Sequence, residues 1–562
     1  MSKPDNTIRV AVVQFAAGDD LEANLATCLE WLDKASDCKP DLVVLPEFIN
    51  HLSWYDDKQH CFDVSVTLGG PFLGAIAAKA KELGIHVVVN CTVQREGGTA
   101  TGSSLLYGPD GSLLADNTKQ IYIGHENDFL EKATEEGPVV ETALGRVGLY
   151  ACMDGVINET PRCLALNGAQ LMLNSLNSFA SDEASLHIPV RAAENKVYVV
   201  AANKVGPLVP EALVDAISAG TGIPVKFLSG AGESQIVAPD GTVLAMASLD
   251  QAEYVYADID VSLADDKRRP DGTDIMASRR PELYGAISED SEAQPLPEMN
   301  GVPEVAASVV SAGSIDEACE RLAESVAAGS ELVCLPPLVV NVTDPVAAAA
   351  RSEEIIARIS EVCGAAHVAT DLVQAGGDGY QYGAAIISAR GVELFQPQVH
   401  RSQRYAFSAP ADSFQSIELA CGRVAVVPSD DSIYPETFRL LAMAGVEVAL
   451  VPLSPLEDWE LQTGLLERSA ENRINLLVAT DSGAHGPAFA TSLQSDFTVM
   501  TEWAERPFDG LLSQPEWHRL EQDEHILPVI LRPANAANKV VSANTDLLAD
   551  RPWAVAGAIT RT

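Results

Sequence analysis

The sequence predicts a mixed α/β layer protein built from two tandem copies of one unit. Three observations predict it. Short β-branched runs alternate with segments of helical periodicity along the first 285 residues. An acidic, Pro-rich stretch, ISEDSEAQPLPEMNGVPE at 286–303, then breaks the pattern. Motifs of the first half finally recur, in order, in the second. Strand–helix alternation with hairpins is the pattern of sheets covered by helices. A length of 562 residues also exceeds what one hydrophobic core usually supports.

The elements follow in order. Ile8 to Gln14 reads as a strand, and Leu21 to Ala35 as a helix with Leu21, Leu25, Cys28, Leu29 and Leu32 on one face. Asp41 to Leu45 is the next strand, ending in Pro46-Glu47. Phe72 to Leu83 is helical and His86 to Asn90 extended. Leu105 to Tyr107, the Pro109-Asp-Gly turn and Ser112 to Leu114 read as a hairpin. Gly148 to Cys152 and Leu171 to Asn174 are strands around a helix at Pro161 to Gly168. Residues 205–225 read as an inserted loop–helix–loop, the kind of insertion that caps a site. The partition is 1–285, a linker at 286–303, and 304–562.

The repeat is carried by four echoes. Glu331-Leu-Val-Cys-Leu-Pro336 matches Asp41-Leu-Val-Val-Leu-Pro46. Gly422-Arg-Val to Asp431 matches Gly145-Arg-Val to Asp154, and Arg468-Ser-Ala-Glu-Asn472 matches Arg191-Ala-Ala-Glu-Asn195. The last two pairs share one offset (422 − 145 and 468 − 191 both give 277). Thr545-Asp and Arg551-Pro echo Thr273-Asp and Arg280-Pro281. Four echoes in one order mark a duplication.

Composition excludes some partners. The net charge is −42, which disfavours nucleic acid or an anionic membrane surface as partner. Of 13 Lys, only Lys539 lies beyond residue 300. Abundant carboxylates with little Lys suit a saline habitat or an acidic, solubility-tuned cytosolic protein, and the sequence does not choose. Ten Cys form no CxxC pair, so neither a zinc site nor a disulfide scaffold is expected. His125-Glu126 does not extend to HExxH. No apolar leader and no apolar stretch of spanning length occurs, and a cytoplasmic location is expected.

Three residues stand where strands end: Glu47, Lys119 and Cys152. A thiol, a carboxylate and an ammonium suffice for acyl transfer, as nucleophile, base and oxyanion partner. Taken singly each has a plainer role. A strand-end Cys is more often a small buried apolar group, and a lone Glu or Lys a solvated charge.

Together with Val44-Leu-Pro-Glu47, Cys152-Met-Asp154, Arg191 to Asn195 and Arg280-Pro-Glu-Leu-Tyr284, they resemble the nitrilase, or carbon–nitrogen hydrolase, superfamily. The resemblance covers residues 8–285. It implies a Glu47–Lys119–Cys152 triad, with Glu126 as a second, substrate-positioning glutamate. It places Met153 and Asn177 at the substrate. It also implies a four-layer αββα sandwich and no cofactor. Cys152-Met-Asp-Gly-Val-Ile-Asn-Glu159 looks like the amidase branch, with Asn158 where that branch has Pro. Nitrile-hydrolysing members usually carry Cys-Trp-Glu, so Met153-Asp154 points to an amide. The expected substrate is a small carboxamide, with an N-carbamoyl amino acid as runner-up. Lys119 is expected to lower the thiol pKa. A non-catalytic binding protein is the rival from another class.

In the second half Pro337 matches Glu47 and Ser429 matches Cys152. No Lys is available to match Lys119, with His400 and Arg401 nearest its place. The resemblance thus implies a degenerate second copy, fused as a pseudo-dimer, with Arg401 or Trp459 as residues that could reach over the first site. Association of such chains into a homo-oligomer stays open.

Overall fold

The computed structural model describes residues 6–339, 344–376, 379–480 and 483–562. Two compact units divide the chain. Unit 1 comprises Met1–Asp266, Asp496–Ser513 and Val540–Arg561; unit 2 comprises Lys267–Ser495 and Gln514–Lys539, with Thr562. The units are not contiguous in sequence and do not follow the 1–285 and 304–562 partition. The tail after the first repeat, 267–285, lies in unit 2. The tail after the second, 540–561, lies in unit 1.

The described residues of unit 1 up to 266 hold twelve strands: β1 (Thr7–Gln14), β2 (Leu42–Val44), β3 (His86–Arg95), β4 (Thr99–Tyr107), β5 (Leu113–Thr118), β6 (Val139–Thr142), β7 (Gly145–Ala151), β8 (Leu171–Ser175), β9 (Tyr198–Ala202), β10 (Gln235–Val237), β11 (Val243–Met246) and β12 (Glu253–Asp260). They form two six-stranded sheets, ordered β12-β1-β2-β3-β4-β5 and β11-β10-β9-β8-β7-β6. The three central strands of the first, β1, β2 and β3, are parallel, as are β7, β8 and β9 of the second. Outer strands are antiparallel, including β3–β4 and β4–β5.

The sheets face one another. Val10, Val12, Val44 and Leu106 of one meet Val147, Leu149, Leu173 and Val200 of the other in a single buried cluster. The opposite face of the first sheet packs on helices Leu21–Ser36 and Pro71–Leu83 through Leu32, Leu73 and Ile76. The period-2 pleat therefore supplies two apolar faces, which explains near-continuous Val/Leu runs in β1, β2 and β8. Asp20 caps the first helix by accepting from Glu22 N and Ala23 N. Helices Glu159–Leu166 and Ile188–Asn195 cover the second sheet. The result is the αββα order.

Unit 2 repeats the plan. Its sheets run, by residue ranges, 391–397, 379–388, 367–376, 332–334, 305–310 and 526–531, and 417–419, 422–426, 448–453, 475–480, 489–492 and 516–519. The copies agree down to single bonds. Arg191 Nη1 donates to Glu194 Oε1 at 2.7 Å, and Arg468 Nη1 to Glu471 Oε1 at 2.8 Å. Asn195 Nδ2 reaches Arg191 O at 3.0 Å, and Asn472 Nδ2 reaches Arg468 O at 3.1 Å. Each helix is preceded by one π-helical turn, Glu183–His187 and Glu460–Gly464.

The late segments are integral to unit 1. Asp182, fully buried, accepts Leu512 N at 3.1 Å and Ser513 N at 2.8 Å. Phe508 stacks edge-on to Phe179 and Phe227, with centroids 5.9 and 5.3 Å apart. Gly510 runs so close that a Cβ there would lie 2.7 Å from Phe227 Cε1, and its φ of +96° also favours glycine. No helix among the described residues is long and apolar enough to cross a membrane.

Candidate active site

Glu47, Lys119, Glu126 and Cys152 meet at one end of the unit 1 sheets. Glu47 follows β2, and its N–H donates to Leu176 O at 3.1 Å, just past β8. Lys119 follows β5, and its N–H donates to Gly102 O at 2.9 Å. Its ammonium lies 2.8 Å from Glu47 Oε1 and 3.0 Å from Glu126 Oε2. Phe48 and Tyr122 flank that ammonium, each ring centroid 5.4 Å away. Gly102 has no side chain because a Cβ there would lie 2.9 Å from Phe48 Cε1.

Cys152 ends β7 at φ 46°, ψ −108°, a left-handed turn into the short helix Met153–Val156. A non-glycine residue in that region costs backbone strain and is typical of reactive positions. The turn is held from both sides. Cys152 N–H donates to Asn174 Oδ1 at 3.0 Å and Ser175 O at 3.1 Å. Asp154 accepts from Ala151 N at 3.2 Å, Gln120 N at 3.0 Å and Ile121 N at 2.8 Å. One carboxylate thus ties the cysteine turn to the segment that carries Lys119. Phe48, beside Glu47, is also left-handed at φ 48° and is anchored through Asn90 Oδ1 and Lys204 Nζ.

Burial sets the protonation states. Desolvation raises Glu47 to about 7, against the opposing pull of Lys119. Burial alone would lower the Lys119 pKa, but Glu126 and Glu47 outweigh it and hold the ammonium charged. The Cys152 thiol is pushed well above its ordinary value by burial, with Glu47 adding to the rise. Lys119 pulls down but does not prevail. The expected downward pull of Lys119 on the thiol is present, but burial outweighs it and the thiol rests neutral. Glu47 Oε2 has no hydrogen-bond partner among the described residues.

A cavity of about 620 Å³ opens onto Glu126 and Asn177, and Asn177 Oδ1 has no partner among the described residues. Met153 is buried beside Val156 and Ile157 in an apolar cluster and is not among the residues lining that cavity. Residues 211–221 of the insertion are helical, and Ile217, Gly220 and Thr221 line the cavity. Asn174, Asn90 and Lys204 were not singled out in sequence, and Asp154 was read only as part of the cysteine motif and not as the anchor of the turn. Asp154, two residues past the cysteine, carried the clearest available signal. Among the described residues no group of three or more His, Cys, Asp or Glu side chains could hold a metal ion.

The matching place in unit 2 can be located through Asp431. It accepts from Val399 N and His400 N, both at 2.8 Å, as Asp154 accepts from Gln120 N and Ile121 N. Gln398, not His400 or Arg401, therefore stands where Lys119 stands. In the same way Asp371 accepts from Leu338 N as Asn90 accepts from Phe48 N, which puts Pro337 at the place of Glu47. Ser429 Oγ donates to Ser454 O at 3.2 Å and accepts Ser454 N at 3.0 Å. The neighbouring Asp430 is taken up by Arg269, at 2.7 Å, and by Arg404.

The fold and this constellation define a class. Residues 9–269 match the carbon–nitrogen hydrolase family model. A nitrilase of Pyrococcus abyssi is 28% identical over 280 residues, covering 49% of this chain and 99% of that protein. The omega-amidase NIT2 of Bos taurus is 27% identical over 290 residues, covering 50% and 97%. Among solved structures, an amidase from Nesterenkonia sp. aligns at 24% identity with a TM-score of 0.41, covering 49% of this chain and 95% of that one.

Proposed function

We propose that unit 1 hydrolyses a carboxamide to a carboxylic acid and ammonia through a thioester on Cys152. The observation that carries this reading is the buried Glu47–Lys119–Glu126 array beside the strained Cys152 turn. Because the thiol rests neutral, a base must take its proton as the sulfur attacks. Glu47, with a pKa of about 7 and an open Oε2, has the poise for that task. Sγ then bonds to the carbonyl carbon. The oxygen gains negative charge beside the Lys119 ammonium and the Met153 N–H. Glu47 passes its proton to the leaving nitrogen, the C–N bond breaks, and ammonia departs. Water next loses a proton to Glu47 and attacks the thioester. The acid leaves and Sγ recovers its proton. Glu126 keeps Lys119 aimed and faces the substrate cavity.

Unit 2, on this reading, is a copy that kept its fold and lost its chemistry. Pro337 has no carboxylate, Gln398 no charge, and Ser429 no thiol.

The test is ammonia release from a panel of carboxamides, N-carbamoyl amino acids and nitriles, with thiol alkylation as control. Release from carboxamides that alkylation abolishes supports the reading. An unreactive Cys152 with no release from any compound favours a binding protein.

A further inference from the structure

The cavity beside Glu126 carries a statement about which amide is taken. Its wall is largely aromatic and aliphatic, with Trp54, Phe129, Phe179, Leu208, Val499 and Met500 prominent. No Lys or Arg is among the described residues that line it. Its carboxylate liners are Glu126 and Asp128, with His125 and Tyr55 as further ionisable liners, and Glu126 is already engaged by Lys119. A primary amide has no substituent on its leaving nitrogen, so whatever fills 620 Å³ must belong to the acyl group.

Part of the wall comes from late in the chain. Val499, Met500, Ser542, Ala543 and Asn544 all lie outside residues 9–269. The two segments are zipped together by Val499 N–H donating to Val541 O at 2.8 Å. They are anchored beside Glu126, where Gly124 N–H donates to Thr545 Oγ1 at 3.1 Å and Asn127 Nδ2 to Asn544 O at 3.2 Å. Met500 and Asn544 are both left-handed, at φ 64° and 63°. Backbone held in that region at a cavity wall is over-determined by its surroundings, which suits a wall of fixed shape.

We propose that this cavity selects amides with an extended, uncharged, apolar acyl chain, and that Val499 and Met500 are its specificity-determining wall. The proposal rests on the amidase reading for unit 1. A free carboxylate on the acyl chain, as in an N-carbamoyl amino acid, would be desolvated against apolar side chains without a cationic partner. A terminal ammonium would likewise lose its hydration. A methyl terminus would add favourable burial.

The test compares hexanamide with two equally long amides, one ending in carboxylate (the monoamide of adipic acid) and one in ammonium (6-aminohexanamide). Expected for the unmodified enzyme is kcat/KM for hexanamide roughly 100-fold above both. Met500→Arg is expected to lower hexanamide turnover and raise that of the carboxylate-ended amide. Equal or better turnover of either charged amide by the unmodified enzyme overturns the proposal. Calorimetric binding to the Cys152→Ala variant reads the cavity without the chemistry. Hexanamide preference there, with no turnover by the unmodified enzyme, supports the cavity assignment and removes the hydrolase reading. Equal binding of all three, with normal turnover, overturns the assignment and leaves the hydrolase.

Discussion

Lys119 holds one oxygen of Glu47 at 2.8 Å while the other, Oε2, meets no partner among the described residues. Both side chains are fully buried. The ammonium orients the carboxylate, and burial keeps it basic enough to accept a thiol proton.

A pH profile follows. Only ionised Glu47 can take the proton, so kcat/KM should rise through a pKa of about 7. The same shift acts on stability with the opposite sign. A carboxyl that binds its proton more tightly in the fold than in the unfolded chain favours the fold at acid pH. That contribution is lost as pH rises from about 4.5 to about 7. Glu47→Gln should abolish turnover and remove this step from the pH dependence of unfolding by urea.

Glu126 is held to act through Lys119 and the substrate. Glu126→Gln should reduce kcat/KM roughly 100-fold while Glu126→Asp recovers part of it. Lys119→Ala should do more, since it strands two buried carboxylates, and should cost about 3–5 kcal/mol of stability by denaturant titration. Full activity in the Glu126→Gln enzyme would remove the glutamate from the site.

Asp154 tests whether the cysteine turn is positioned by its carboxylate. Asp154→Ala leaves the Ala151, Gln120 and Ile121 N–H groups unmet and should cost about 1–3 kcal/mol each before relaxation. Thiol alkylation rates at Cys152, measured below the melting transition, should change with it.

Unit 2 should answer as structure and not as chemistry. Ser429→Ala should leave turnover unchanged. Asp430→Ala removes one of the two carboxylates, Asp430 and Glu460, that pair the buried Arg269, and should lower stability by about 1–3 kcal/mol. Loss of turnover in the stable Ser429→Ala enzyme would contradict the degenerate-copy reading.

Much of this was legible in sequence, for identifiable reasons. The runs at Ile8, Asp41 and Leu171 became strands because two packed faces demand unbroken apolar residues. Glu47, Lys119 and Cys152 stand at strand ends, where side chains converge. The address of residues 496–513 and 540–561 was not legible. They are largely irregular, and what places them is long-range: Asp182 to Leu512 and Ser513, Tyr122 and Gly124 to Thr545. Gln398 was hidden by loop length, since its offset from Lys119 differs from that of Ser429 from Cys152 (398 − 119 gives 279, 429 − 152 gives 277). The thiol's neutral state was not legible because it is set first by burial, which the strand-end position of Cys152 does not reveal.

The most direct test of the central claim is intact-mass spectrometry of the enzyme quenched during turnover of a carboxamide. The account predicts an acyl adduct that maps to Cys152, forms with release of ammonia, and is missing in Cys152→Ala, which keeps its fold but releases none. Ammonia release by the Cys152→Ala enzyme at a near-normal rate would contradict it.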